Sequence, residues 1–141
     1  MMNDVESPLC PFSKPLIGRY CQCPYAVLAE RCSGKMVCSH DAQLRAGCEE
    51  LVDLFKQKAH FVLGLSSIDA ELTHAQSMKI RCGGLLGMQR VLAMDASKPP
   101  LVREVMDRAQ MQYGSLSGFP YTEIMPDIQT FNHRRKTKKL T

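Results

Sequence analysis

The chain has 141 residues, 45% of them hydrophobic and 23% charged, with 9 Gly and 8 Pro. Collagen-like, low-complexity and extensively disordered chains are excluded by that balance. At this length one hydrophobic core is affordable and two are not, so a single domain over residues 1–141 is expected. There is no Trp, and nine Met must share the filling of the core with four Tyr and five Phe.

No basic segment leads into an apolar run near the start, where Asn3, Asp4 and Glu6 stand instead, so a secretory signal is not expected. The strongest apolar run, residues 61–65, is far below the roughly 20 residues a membrane-spanning helix needs. A cytoplasmic protein without a membrane segment is the expectation, and in that reducing compartment cysteines stay as thiols or bind metal.

Residues 1–38 contain Pro8, Pro11, Pro15, Gly18, Pro24 and Gly34 and keep neither a period of 2 nor one of 3.6. They are expected to form an irregular lobe, with one or two helical turns over residues 24–31 behind Pro24. The rest should be helical. Leu44, Cys48, Leu51, Phe55, Ala59 and Val62 mark one face of a helix capped by Ser39 or Asp41 and ended by Gly64. A second helix beginning at Ser66, Ser67 or Asp69 carries Ile68, Leu72, Ala75, Met78 or Lys79, Cys82, Leu85, Leu86 and Leu92 on one face, antiparallel to the first. It contains Gly83, Gly84 and Gly87, each about 1 kcal/mol less favourable than Ala in a helix, which calls for close backbone packing or a break at a site.

A third helix spans residues 101–113 between Pro100 and Gly114. A shorter fourth uses Ile124, Ile128 and Phe131, with Pro126 tolerable only in its first turn. The expected fold is all-α, an antiparallel bundle of about four helices in residues 39–131 carrying an irregular Cys-rich N-terminal lobe. Residues 132–141 form a basic tail. Arg134, Arg135, Lys136, Lys138 and Lys139 carry more than the whole net charge of +4, leaving a nearly neutral body. Such a run is a solvated end or a contact for nucleic acid phosphates or an acidic protein partner, although no aromatic residues are interleaved for base stacking.

Seven cysteines are the main departure from average composition, and six lie within the first 48 residues with the spacing C-x10-C-x-C-x8-C-x5-C-x9-C. The spacing matches neither the paired knuckles of a zinc ribbon nor the C-x2-C-x2-C run of a ferredoxin. A lobe with so little regular structure needs bonds other than packing, and metal–thiolate bonds supply folding free energy directly. The candidate metal ligands are Cys10, Cys21, Cys23, Cys32 and Cys38, from which four suffice. Cys21 and Cys23 are the firmest, separated by one residue. Cys38 precedes a helix N-terminus, where thiolate is stabilised. Cys10 would anchor the first segment, and Cys32 is either the fourth ligand or a packing residue. Cys48 and Cys82 keep the register of core positions and read first as small buried apolar residues, although antiparallel helices could bring both sulfurs toward the lobe.

Cys10-Pro11 and Cys23-Pro24 place proline directly after cysteine, as at the end of the bacterial ferredoxin run, which favours an iron–sulfur cluster over Zn. Catalysis by Cys38 with His40, or by a thiol meeting His60 or His74, has no supporting motif. Residues 83–87 lack the Lys-Ser/Thr pair of a phosphate loop. The expected function is electron transfer, cluster handling or service as a small subunit of a redox complex, with a protein partner. The alternative is a zinc-stabilised adaptor or regulator.

Overall fold

The computed structural model describes residues 9–28, 35–38, 42–65 and 71–132. It is mostly helical, with one small antiparallel ribbon in the lobe, so the all-α expectation holds only approximately. Among the described residues no helix is long and apolar enough to cross a membrane.

The lobe opens with a short helix, α1 (Ser13–Ile17). Its ribbon pairs β1 (Ala26–Leu28) with β2 (Met36–Cys38) in the register Ala26 to Cys38, Val27 to Val37 and Leu28 to Met36. The helical turns expected over residues 24–31 are therefore absent from residues 26–28. Val27 and Val37 face each other across the ribbon, and cross-strand pairing outweighs the weak helical signal of Pro24. Leu9 bridges Val37, Cys10 N–H donates to Met36 O at 2.9 Å, and Met36 N–H donates to Ser13 Oγ at 2.9 Å. These bonds weld α1 to the ribbon.

Helix α2 (Ala42–Ala59) buries Cys48, Leu51, Val52, Phe55 and Ala59 in the expected register, although it stops before Val62. Lys56 and Lys58 in its last turn suit the negative end of the helix dipole. The Ser39 and Asp41 caps lie outside the described residues. The expected starts at Ser66, Ser67 and Asp69 lie outside the described residues, and the second helical run as described has Thr73 as its N-cap. Thr73 Oγ1 accepts from Gln76 N–H at 3.1 Å while Gln76 Oε1 accepts from Thr73 N–H at 3.0 Å, a reciprocal capping box. From there α3 (His74–Met78) passes into a π-turn (Lys79–Gly83) and on into α4 (Gly84–Val91).

The three glycines are explained by contact. A Cβ on Gly83 would stand 2.6 Å from Ile128 Cα, one on Gly84 2.6 Å from the Phe55 ring, and one on Gly87 2.5 Å from Ile124 Cβ. Helix α5 (Val102–Tyr113) matches its expected span and ends at Gly114 with φ +87°. A 3-10 turn (Tyr121–Ile124) leads into α6 (Met125–Thr130), which does carry Pro126 in its first turn but ends before Phe131. Leu51, Phe55, Ile80, Leu85, Met88, Val105, Ile124 and Ile128 are fully enclosed and form the centre of the core.

Candidate metal centre

The segment carrying Cys21 and Cys23 is fixed by main-chain bonds to the start of α5. Gln22 N–H donates to Pro100 O at 2.9 Å, and Val102 N–H donates to Gln22 O at 2.9 Å. In this extended stretch Gln22 is exposed, Cys21 is buried and Cys23 is half-buried, the alternation that places neighbouring side chains on opposite sides. Cys10 is buried beside the ribbon, and Cys38 is half-buried at the end of β2. Cys48 is buried on α2 and Cys82 in the π-turn. All six are free thiols, while Cys32 lies outside the described residues, as do Arg134, Arg135, Lys136, Lys138 and Lys139.

The sulfurs form an electrostatic neighbourhood. Burial pushes the Cys10 thiol up to about 11, and charge on Cys48, Cys23 and Cys38 adds to the effect. Cys21 is raised further, by burial first and then by Cys82, Cys10, Cys23 and Cys48. Burial raises Cys82 to about 12, opposed by Arg81. Cys48 is raised by burial against the charge and hydrogen bond of Arg103, with Cys23 and Cys38 opposing its ionisation again. Thus the lobe thiols Cys10, Cys21, Cys23 and Cys38 lie within electrostatic reach of Cys48 or Cys82 in the helical body or of one another. Among the described residues, no three His, Cys, Asp or Glu side chains are grouped closely enough to hold one metal ion.

Two arginines serve this seam. Arg81, half-buried, donates from Nε to Pro11 O at 2.7 Å and from Nη1 to Ser77 Oγ at 2.7 Å; burial lowers its pKa, opposed in part by the charges of Cys82, Asp53 and Cys10. Arg103 on α5 donates from Nη1 to Met106 Sδ at 3.5 Å, the same sulfur that lies 3.8 Å from Cys48 Sγ, and its charge favours the Cys48 thiolate. Sequence reasoning passed over both. The one signal available was a cation, Arg81, directly before an inward cysteine in an otherwise apolar run. A cluster of thiolates in low dielectric repels itself, and cations at its margin offset that repulsion. No protein-family model, curated protein or solved structure matches the chain.

Proposed function

We propose that this chain is a cytoplasmic metal-binding protein whose cysteines hold an iron–sulfur cluster, and that it acts in electron transfer, in cluster handling or as a small subunit of a redox complex. What supports the reading is that six free thiols from five separate stretches of chain each lie within electrostatic reach of at least one other, with Arg81 and Arg103 among their charged neighbours. Unpaired thiols gathered this way repel one another once ionised, whereas a bound cationic centre turns that repulsion into attraction and its binding energy into folding energy.

Proline directly after Cys10 and after Cys23, as after the last cysteine of the bacterial ferredoxin run, is what favours a cluster over one zinc ion. The candidate ligands are four drawn from Cys10, Cys21, Cys23, Cys32 and Cys38 with the body cysteines beneath them. The helices we read as an antiparallel bundle of four, with the lobe docked on it. Leu9, Val27 and Leu28, exposed on the ribbon that ends in Cys38, suit a protein partner better than a free-standing enzyme.

The test is purification without oxygen, followed by iron, acid-labile sulfide and zinc analysis per chain. Iron with matching sulfide and broad absorption around 400 nm is the expected result. Stoichiometric zinc without sulfide moves the centre to the structural class, and protein free of both metals after reconstitution overturns the reading.

A further inference from the structure

The basic run at 134–139 has no aromatic residues interleaved with it, but the fold brings two rings to the point where it begins. Tyr20 and Phe131 meet edge to face with ring centroids 5.3 Å apart, and both residues are half-buried, so part of each meets solvent. Lys79 donates from Nζ to Phe131 O at 2.7 Å and to Gln129 O at 2.9 Å, which fixes the end of α6 beside this pair. Arg134 follows Phe131 by three residues, so its Cα lies within about 11 Å of the Phe131 Cα whatever path the chain takes.

Arg19, next to Tyr20, holds a conformation that side chains avoid. Tyr20 N–H donates to Pro15 O at 2.9 Å and Arg19 N–H to Leu16 O at 3.1 Å, a Schellman end to α1 with Arg19 left-handed at φ 65°. Glycine is the usual residue at that position, and Gly18 stands one place too early to fill it. Gly18 serves the ring instead, since a Cβ there would stand 2.8 Å from Tyr20. An exposed cation is thus kept where the backbone is strained, and such strain collects at functional sites. The charge around it is of one sign. Residues 7–29, 72–94 and 128–141, which supply Tyr20, Lys79 and Phe131, contain none of the chain's 14 Asp and Glu and more than half of its 18 Lys and Arg. The carboxylate of α6, on Asp127, is paired with Arg90 at 2.6 Å.

We infer that this face binds single-stranded nucleic acid, with phosphates along Lys14, Arg19 and the basic run and a base stacked on the Tyr20–Phe131 pair. Cations alone suit any polyanion and favour a duplex, whose charge density is higher. Aromatic rings among the cations suit unpaired bases, whose π faces a duplex covers. The inference goes beyond the metal centre and does not depend on it.

The test is fluorescence anisotropy of the full chain with a labelled oligo(dT) of about 20 nucleotides, a duplex of equal length, and an abasic strand that keeps the phosphates without the bases. Oligo(dT) is expected to bind tightest, with the abasic strand and the duplex each weaker by about fivefold or more. Between about 50 and about 300 mM salt, the logarithm of its affinity should fall against log salt with a slope of about −3 to −5, near −0.7 per phosphate contact. Arg19→Gly relieves the left-handed backbone, so its Tm should not fall, while its slope becomes shallower by about 0.7. Tyr20→Leu should weaken oligo(dT) about fivefold and leave the salt slope and the abasic strand unchanged. The abasic comparison needs only the wild type, so no variant has to fold for it. Equal wild-type affinity for oligo(dT) and the abasic strand overturns the inference, as does competition by phosphatidylserine vesicles that matches competition by unlabelled oligo(dT). Full affinity and an unchanged slope in Arg19→Gly confine the contact to the run at 134–139 and overturn the role of the folded face.

Discussion

Arg81 and Pro11 are joined by a 2.7 Å hydrogen bond from the guanidinium Nε to the proline carbonyl, across a sequence separation of 70 residues. The same side chain donates to Ser77 Oγ, so one cation ties the segment next to Cys10 to the helical run next to Cys82. Burial works against this cation and lowers its pKa, and the nearby charges of Cys82, Asp53 and Cys10 offset only part of that cost. Arg81→Met keeps much of the stem but leaves the Pro11 carbonyl without its donor. A hydrogen bond to a charged group is worth about 1.5–3 kcal/mol, and a loss of about 2 kcal/mol is expected in urea unfolding of the metal-free chain. An unchanged unfolding midpoint contradicts the bracing role.

The contact between Gly83 and α6 gives a prediction of opposite sign to helix propensity. Alanine is about 1 kcal/mol better than glycine in a helix interior. Here its Cβ would stand 2.6 Å from Ile128 Cα and 2.7 Å from Asp127 O, and backbone gives way less readily than a side chain. Overpacking costs about 1–3 kcal/mol, so Gly83→Ala is expected to lower Tm by several degrees while far-ultraviolet helicity is retained. A raised Tm refutes the close packing.

The helices were legible where burial repeats over several turns. Leu51, Phe55 and Ala59 on α2, and Val102, Val105, Met106 and Ala109 on α5, keep the 3.6-residue pattern because each is enclosed by the core. The ribbon was not legible, because strands of three residues are too short to display a period of 2 and Pro24 suggested a helix start. The π-turn was hidden for a different reason. Ile80, Cys82 and Gly83 all remain buried through it, so its widened backbone leaves no gap in the apolar pattern. Periodicity placed Cys48 inside without revealing that Met106 of α5 would be its sulfur's neighbour at 3.8 Å, since that depends on how α5 folds against α2.

Tyr121 sets an alkaline limit on stability. Its hydroxyl donates to Leu116 O at 2.6 Å, and burial, followed by the charge of Glu50, raises its pKa above the usual 10.0. The folded state therefore holds this proton more tightly than the unfolded state. The resulting stabilisation is complete below about pH 10 and is lost as pH rises toward the folded value. Tyr121→Phe is expected to be less stable by about 1 kcal/mol near neutral pH, because the Leu116 carbonyl loses its donor, and to decline less steeply above about pH 10. Urea midpoints from about pH 8 to about pH 11 check this, and parallel curves for the two proteins contradict it.

Thiol reactivity in the metal-free chain should follow enclosure. Cys21 and Cys82 are each 2% exposed and Cys10 6%, while Cys23 and Cys38 are half-buried. With Cys10 pushed to about 11, roughly one Cys10 thiol in a thousand is ionised at pH 8, and a thiol reagent needs both the thiolate and a path to it. A timed maleimide pulse with peptide mapping is expected to label Cys23 and Cys38 first. Cys10, Cys21 and Cys82 should react only as the structure opens. Loading with iron and sulfide should then protect Cys23 and Cys38 as well, and a chelator should restore their reactivity, because a coordinated sulfur has its lone pair engaged. Equal labelling of Cys21 and Cys23 contradicts the burial order, whereas Cys23 that reacts as fast in the loaded protein as in the stripped one places it outside the ligand shell.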